Sequence, residues 1–112
     1  MKAYDVLEQA SLLVSGTAPD ESLKKAGVGL VNTILNDLSK KPIVSLSEDV
    51  SFSHIGGCTV LISGVAMLIS LLQGDDASLS GFNEIYNSGR KRLVGNVSKI
   101  KNTLFGGGSL EI

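Results

Sequence analysis

Residues 55–76 read IGGCTVLISGVAMLISLLQGDD, with no charged side chain from Ile55 through Gly74 and an abrupt end at Asp75 and Asp76. About 18 residues at helical rise make a rod of about 27 Å. The rod is apolar on nearly every side, so it requires enclosure by a protein core or by lipid. Acids stand on both flanks, Glu48 and Asp49 before and Asp75 and Asp76 after. Beyond the run no Lys or Arg appears until Arg90, and Trp is absent. Those flanks do not match a membrane span, and the interior serines and Gln73 suit a helix held inside a water-soluble bundle. The stretch therefore predicts an all-α fold in which other helices wrap this one.

Working outward, the flanking segments supply those helices. From Ala3 to Val14, the residues Ala3, Val6, Leu7, Ala10, Leu13 and Val14 recur at three- and four-residue steps, with Asp5, Glu8 and Gln9 on the other side. That is an amphipathic helix, which Gly16 stops. A second helix is predicted from Asp20 to Leu38, its stripe formed by Leu23, Ala26, Gly27, Leu30, Val31, Ile34, Leu35 and Leu38. Thr17 or Asp20 caps it, Pro19 stands in an early tolerated position, and Pro42 ends it. Gly27 and Gly29 weaken it by about 1 kcal/mol each against alanine, which implies close packing there. Asn32, Asn36 and Asp37 border the stripe as surface or cap-forming groups.

Residues 39–57 are the least regular. Ile43, Val44, Leu46, Val50 and Phe52 alternate with polar residues, which fits either a short β-hairpin or an extended loop pinned at its apolar positions. After the central run, Ser78 or Asp76 is placed to cap a long last helix. Its seam is Leu79, Phe82, Tyr86, Gly89, Leu93, Val97, Ile100 and Leu104, widened by Ile85 and Val94. The architecture expected is a small four-helix bundle with a long loop or short β-hairpin between helices 2 and 3. Residues 1–105 form the domain, and residues 106–112, GGGSLEI, an extended tail.

The formal charge of −1 conceals an uneven distribution. Residues 1–85 carry ten acids and five lysines; residues 86–105 carry Arg90, Lys91, Arg92, Lys99 and Lys101 and no acid. Opposite charge at two ends suits copies that meet head to tail, a basic end facing nucleic acid, or a solvated helix face. Arg90, Lys91 and Arg92 are consecutive and spread around a helix, with no aromatic interleaving, so sequence-specific base reading is not expected. The acidic N-terminal segment lacks a signal-peptide pattern, and synthesis in the cytoplasm is expected.

Catalytic chemistry finds little footing. His54 is the single histidine and has no partners at metal-ligand spacing. Cys58 is the single cysteine and suits a small buried apolar role. Adjacent Asp75 and Asp76 suit helix capping better than paired acid/base work. The glycines at 27 and 29 lack the strand and third glycine of a dinucleotide loop. No serine lies in a G-x-S-x-G context. The expectation is a non-enzymatic protein with no cofactor and no metal. Leu110 and Ile112 would share one face of a short strand, and such a tail suits either addition to a partner's sheet or groove or a frayed terminus.

The pattern resembles the head-tail connector (adaptor) proteins of tailed bacteriophages over roughly residues 4–95. The matching positions are Gly64, Val65 and Ala66 of an apolar GVA helix, the acidic turn Gly74–Asp75, and the spaced pair Phe82 and Tyr86. The loop and the tail match no motif of that family. The resemblance implies a virion structural protein, made in the host cytoplasm, that forms a homo-oligomeric, dodecameric ring under the portal protein. It extends the DNA channel, through which packaged DNA passes unread, and offers a platform to the next connector or tail protein. On that reading Phe105, Leu110 and Ile112 grip the portal. Arg90, Lys91, Arg92, Lys99 and Lys101 serve subunit or channel contacts, and the 40–57 loop projects towards the channel or a neighbouring ring. Two other classes fit the same residues: a single-span, holin-like membrane protein through Ile55–Leu72, and a soluble regulator that binds protein or nucleic acid.

Overall fold

A computed structural model describes the backbone of residues 1–52 and 55–104, and their side chains other than those of Ile55 and residues 94–104. Four helices follow in order: α1 Ala3–Ser15, α2 Glu21–Asp37, α3 Ile55–Gln73 and α4 Asp76–Leu104. No strand occurs among the described residues; the one β-type pairing is an isolated antiparallel bridge between Lys2 and Asp49. The all-α expectation holds.

The helix ends show which local chemistry prevails. Gly16 (φ 73°) closes α1, its N–H bonded to the Leu12 carbonyl, a left-handed stop open to glycine at no steric expense. Asp20 caps α2, its Oδ1 accepting from the Leu23 N–H at 2.8 Å, and Pro19 lies just outside the helix. Pro42 does not end α2. Ser39 does, with φ 58°: the Ser39 N–H reaches the Asn36 carbonyl and the Lys40 N–H the Leu35 carbonyl, the two bonds of a Schellman stop. Gly74 (φ 70°) ends α3 in the same way, with Asp75 N–H on the Ser70 carbonyl. Neither Asp76 nor Ser78 caps α4. Asp75 does, accepting from the Ser78 N–H at 3.1 Å and the Ser78 Oγ–H at 2.8 Å.

Neighbouring side chains give the helix directions. Leu7 of α1 meets Gly27 of α2, Ile34 of α2 meets Gly64 of α3, and Tyr86 and Gly89 of α4 meet Gly64 and Val60 of α3. The chain runs up, down, up, down. α3 contacts each of the other three helices, α1 also packs on α2, and α4 lies chiefly on α3. Leu61, Val65, Ala66 and Ile69 of α3 are fully buried against Val6, Leu7, Val31 and Leu35. The buried serines of this rod satisfy themselves within it: Ser63 Oγ donates to the Thr59 carbonyl and Ser70 Oγ to the Ala66 carbonyl.

The 38–52 segment folds onto the bundle as a pinned loop, and its described part forms no hairpin. Ile43, Val50 and Phe52 are buried, Leu46 is half-buried and Val44 is exposed. α1 has no side-chain cap at Lys2; instead the Ala3 N–H bonds the Glu48 carbonyl and the Tyr4 N–H the Leu46 carbonyl. The loop thereby satisfies donors that a helix start otherwise leaves open. Asn32 holds it from the other side, its amide donating to the Ile43 carbonyl and accepting from the Ile43 N–H, both at 2.8 Å.

The paired glycines of α2 turn out to be unlike. A methyl group at Gly27 would lie 2.8 Å from Leu7 Cδ2, whereas nothing lies within 4 Å of one at Gly29. At Gly64 it would lie 2.8 Å from Ile34 Cγ2 and 2.9 Å from the Tyr86 ring. Gly29→Ala is expected to raise stability by about 1 kcal/mol through helix propensity alone. Gly64→Ala is expected to lose about 1–3 kcal/mol by overpacking, despite the same propensity gain. Urea melts of the two variants check this, and equal shifts of the same sign would refute the packing shown for α3.

Candidate interaction surface

Among the described residues, a side-chain polar network joins α2 to α4. Tyr86 is buried, and its hydroxyl donates to Asp37 Oδ2 at 2.5 Å. Arg90, one turn further along the same face of α4, brings Nε to 2.8 Å from the same oxygen. The Arg90 N–H is not aimed well enough for a hydrogen bond, so this contact is an ion pair. Asp37 is the last residue of α2, where a negative charge opposes the helix dipole; the tyrosine and arginine offset that. Burial first, and then the Asp37 hydrogen bond, push the Tyr86 hydroxyl well above its ordinary value. The ion pair itself is half-exposed and contributes about 1 kcal/mol at most.

The basic cluster is thus divided. Arg90 is engaged by Asp37 within the chain, while Lys91 and Arg92 are exposed. Lys99 and Lys101 lie on the backbone of α4, their side chains outside the described residues, as are Phe105, Leu110, Ile112, the tail and His54. Cys58 is half-buried, its Sγ 4.0 Å from the Phe52 carbonyl. Of the resemblance positions, Gly64 and Tyr86 meet in one helix contact, where the bare Gly64 backbone admits the Tyr86 ring; Phe82, a turn earlier on α4, is partly buried against the core. Their spacing reflects packing. Asp37 was legible only as a border residue, because nothing in sequence places it beside a tyrosine 49 positions away.

Where α1 and α3 end and α2 begins, a cavity of about 290 Å³ is lined by Ser11, Ser15, Thr17, Asp20, Leu72 and neighbouring residues. Its hydroxyls serve the turn between α1 and α2: Ser11 Oγ donates to the Thr17 carbonyl, and Ser15 Oγ lies 3.0 Å from both the Ser11 carbonyl and Thr17 Oγ1. The carboxylate in the lining, Asp20, accepts from the Leu23 N–H as the cap of α2. Asp75 is held below its ordinary carboxylate value by the Ser78 backbone and hydroxyl bonds, which is capping electrostatics. Among the described residues no group of three His, Cys, Asp or Glu is placed to hold a metal ion.

The unusual surface is apolar. Leu12 and Leu13 in the last turn of α1 are 47% and 58% exposed, and Leu71 and Leu72 in the last turn of α3 are 59% and 64% exposed. The cavity residues Ser15, Leu72 and Gln73 bring these two helix ends together. Ile85, on the outer face of α4, is also exposed. α3 from Gly56 to Gln73 is long and apolar enough to cross a membrane, and half of that span is buried inside the bundle.

Tyr86→Phe removes the hydrogen bond to a charged partner and is expected to lower stability by about 1.5–3 kcal/mol at neutral pH. The raised Tyr86 value makes the folded state hold its proton longer than the unfolded chain does. Its contribution is therefore complete below about pH 10, where an unfolded tyrosine titrates, and falls as pH rises beyond that. The Phe variant should show a shallower alkaline loss than the parent in melts between pH 8 and 11; parallel curves would count against the Tyr86–Asp37 bond. Compared with protein-family models, curated proteins and solved structures, the chain matches none.

Proposed function

We propose that this chain is a non-catalytic assembly subunit, a head-tail connector of a tailed bacteriophage that forms a ring beneath the portal and extends the DNA channel. The observation that carries the reading is that Gly64 and Tyr86, two positions of the connector resemblance, meet in the contact that fixes α4 to α3, with a third, Phe82, partly buried against the core. Supporting it, the polar groups described above serve caps, turns and helix ties, while large apolar side chains stand exposed at one end of the bundle. In this reading the portal is held by Phe105, Leu110 and Ile112 in the tail, and Lys91, Arg92, Lys99 and Lys101 face the channel or a neighbouring subunit. Arg90 contributes by fixing α4. The 38–52 loop, folded against α1 and α2, acts first as a cap and only at its exposed Val44 turn as a contact.

A second reading rests on α3, whose length and composition suit a membrane and whose last turn is exposed. Against it stands the burial of Leu61, Val65, Ala66 and Ile69 within the bundle, which a span would have to give up.

The connector reading predicts that a chain lacking residues 106–112 keeps the parent's thermal melt and loses capture by purified portal rings of a matching phage. Undiminished capture would refute the tail assignment, and recovery of the full chain only in the detergent-extracted fraction after lysis would favour the membrane reading.

A further inference from the structure

The cavity where α1 and α3 end and α2 begins has a one-sided hydrogen-bond chemistry. Ser11 Oγ donates its proton to the Thr17 carbonyl, and Ser15 Oγ donates to the Ser11 carbonyl. With the Ser15 proton spent, Thr17 Oγ1 is the donor in the 3.0 Å contact between the two hydroxyls. Three lining hydroxyls thus use their protons within the turn and keep only lone pairs for anything that enters. Asp20 adds a carboxylate to the lining. Its Oδ1 accepts from the Leu23 N–H, and its Oδ2 has no partner among the described residues.

The electrostatics of the site have the same sign. Asp20 is the single charged residue of the described lining. Lys24 is drawn to Glu21 at 3.5 Å, and Lys25 is exposed outside the lining. Two helices end here, α1 at Ser15 and α3 at Gln73, and neither carries a basic residue in its last turn. Their negative dipole ends are therefore unanswered by a cation of their own, and Asp75 and Asp76 follow directly on α3. The start of α2 acts in the opposite sense, and its Asp20 cap offsets it. What this pocket lacks is a cation rich in donors.

Space narrows the choice of cation. A volume of about 290 Å³ is the share of about ten waters in the liquid, room for the head and stem of one long side chain. Leu23, Ala26 and Leu72 supply apolar wall for such a stem. A guanidinium has five N–H donors and no acceptor, and its fork matches a carboxylate. We propose that the cavity receives an arginine side chain of a neighbouring protein, with the guanidinium on Asp20 Oδ2 and the Ser15 and Thr17 oxygens and the stem against Leu72. That the neighbour is the next connector or tail protein rests on the assembly-subunit reading. The pocket itself is tested with this chain alone, so loss of portal capture and loss of arginine binding are separate results.

The probe is the peptide acetyl-Ala-Arg-Ala amide, titrated into the full chain and followed by backbone amide NMR shifts. The amides of Ser11, Thr17, Ser22 and Gln73 should shift and saturate together. The citrulline peptide, which keeps the shape of the arginine peptide and loses its charge, should bind at least about tenfold more weakly. Asp20→Asn retains a capping side chain and should weaken the arginine peptide about fivefold. Ala26→Leu, at an exposed helical position, fills the pocket and should abolish the shifts while its spectrum stays that of a folded chain. Shifts confined to acidic sites elsewhere, or citrulline peptide of equal affinity, overturn the proposal. So does either variant binding the arginine peptide as the parent does.

Discussion

A helix without a polar face must be covered all round, and α3 sets that constraint on everything else. Three helices meet it for most of the length, and they approach closely because α3 and its neighbours carry glycine where side chains cross. Gly64 lets Ile34 and Tyr86 reach the α3 backbone, Gly89 lets Val60 against α4, and Gly57 lets Phe52 close the loop over the start of α3. Each missing Cβ becomes a contact between apolar side chain and backbone. The rod's serines add no unmet demand, since each buried hydroxyl bonds a carbonyl one turn back.

Around this packing, polar groups work as fasteners. The loop carbonyls of Leu46 and Glu48 finish the start of α1, and Asn32 grips the loop at Ile43. Tyr86 and Arg90 fasten α4 to the end of α2 through Asp37. Individually these bonds are modest, of the order of 1 kcal/mol. Together they decide which residues are left to act outward. Arg90 is withdrawn from the basic set, most of the loop's apolar residues are withdrawn from the surface, and the leucines at the end of α1 and α3 are left exposed.

That division supports a molecule that works by contact. Cover for α3 runs out in its last turn, at Leu71 and Leu72, while α4 runs on past the first turn of α3. In the proposed connector reading, the exposed apolar residues and the uneven charge along the sequence serve contacts between copies.

The sequence by itself determined the helices, because a seam at three- and four-residue steps and a 20-residue uncharged run admit few other solutions. It determined α1 and the extent of α3 closely and narrowed the α2 cap to Thr17 or Asp20, since those signals lie within a turn or two of each other. It did not determine that Ser39 rather than Pro42 ends α2, or that Asp75 rather than Asp76 or Ser78 starts α4. Such choices turn on backbone angles that neighbouring packing selects. Only the tertiary structure decided that the alternating 43–52 segment caps α1 instead of pairing with itself: its carbonyls find better-placed donors in the open first turn of α1. Likewise, only packing brought Asp37 to Tyr86 and Arg90 and distinguished Gly27 from Gly29, for those outcomes depend on which faces of separate helices meet in space.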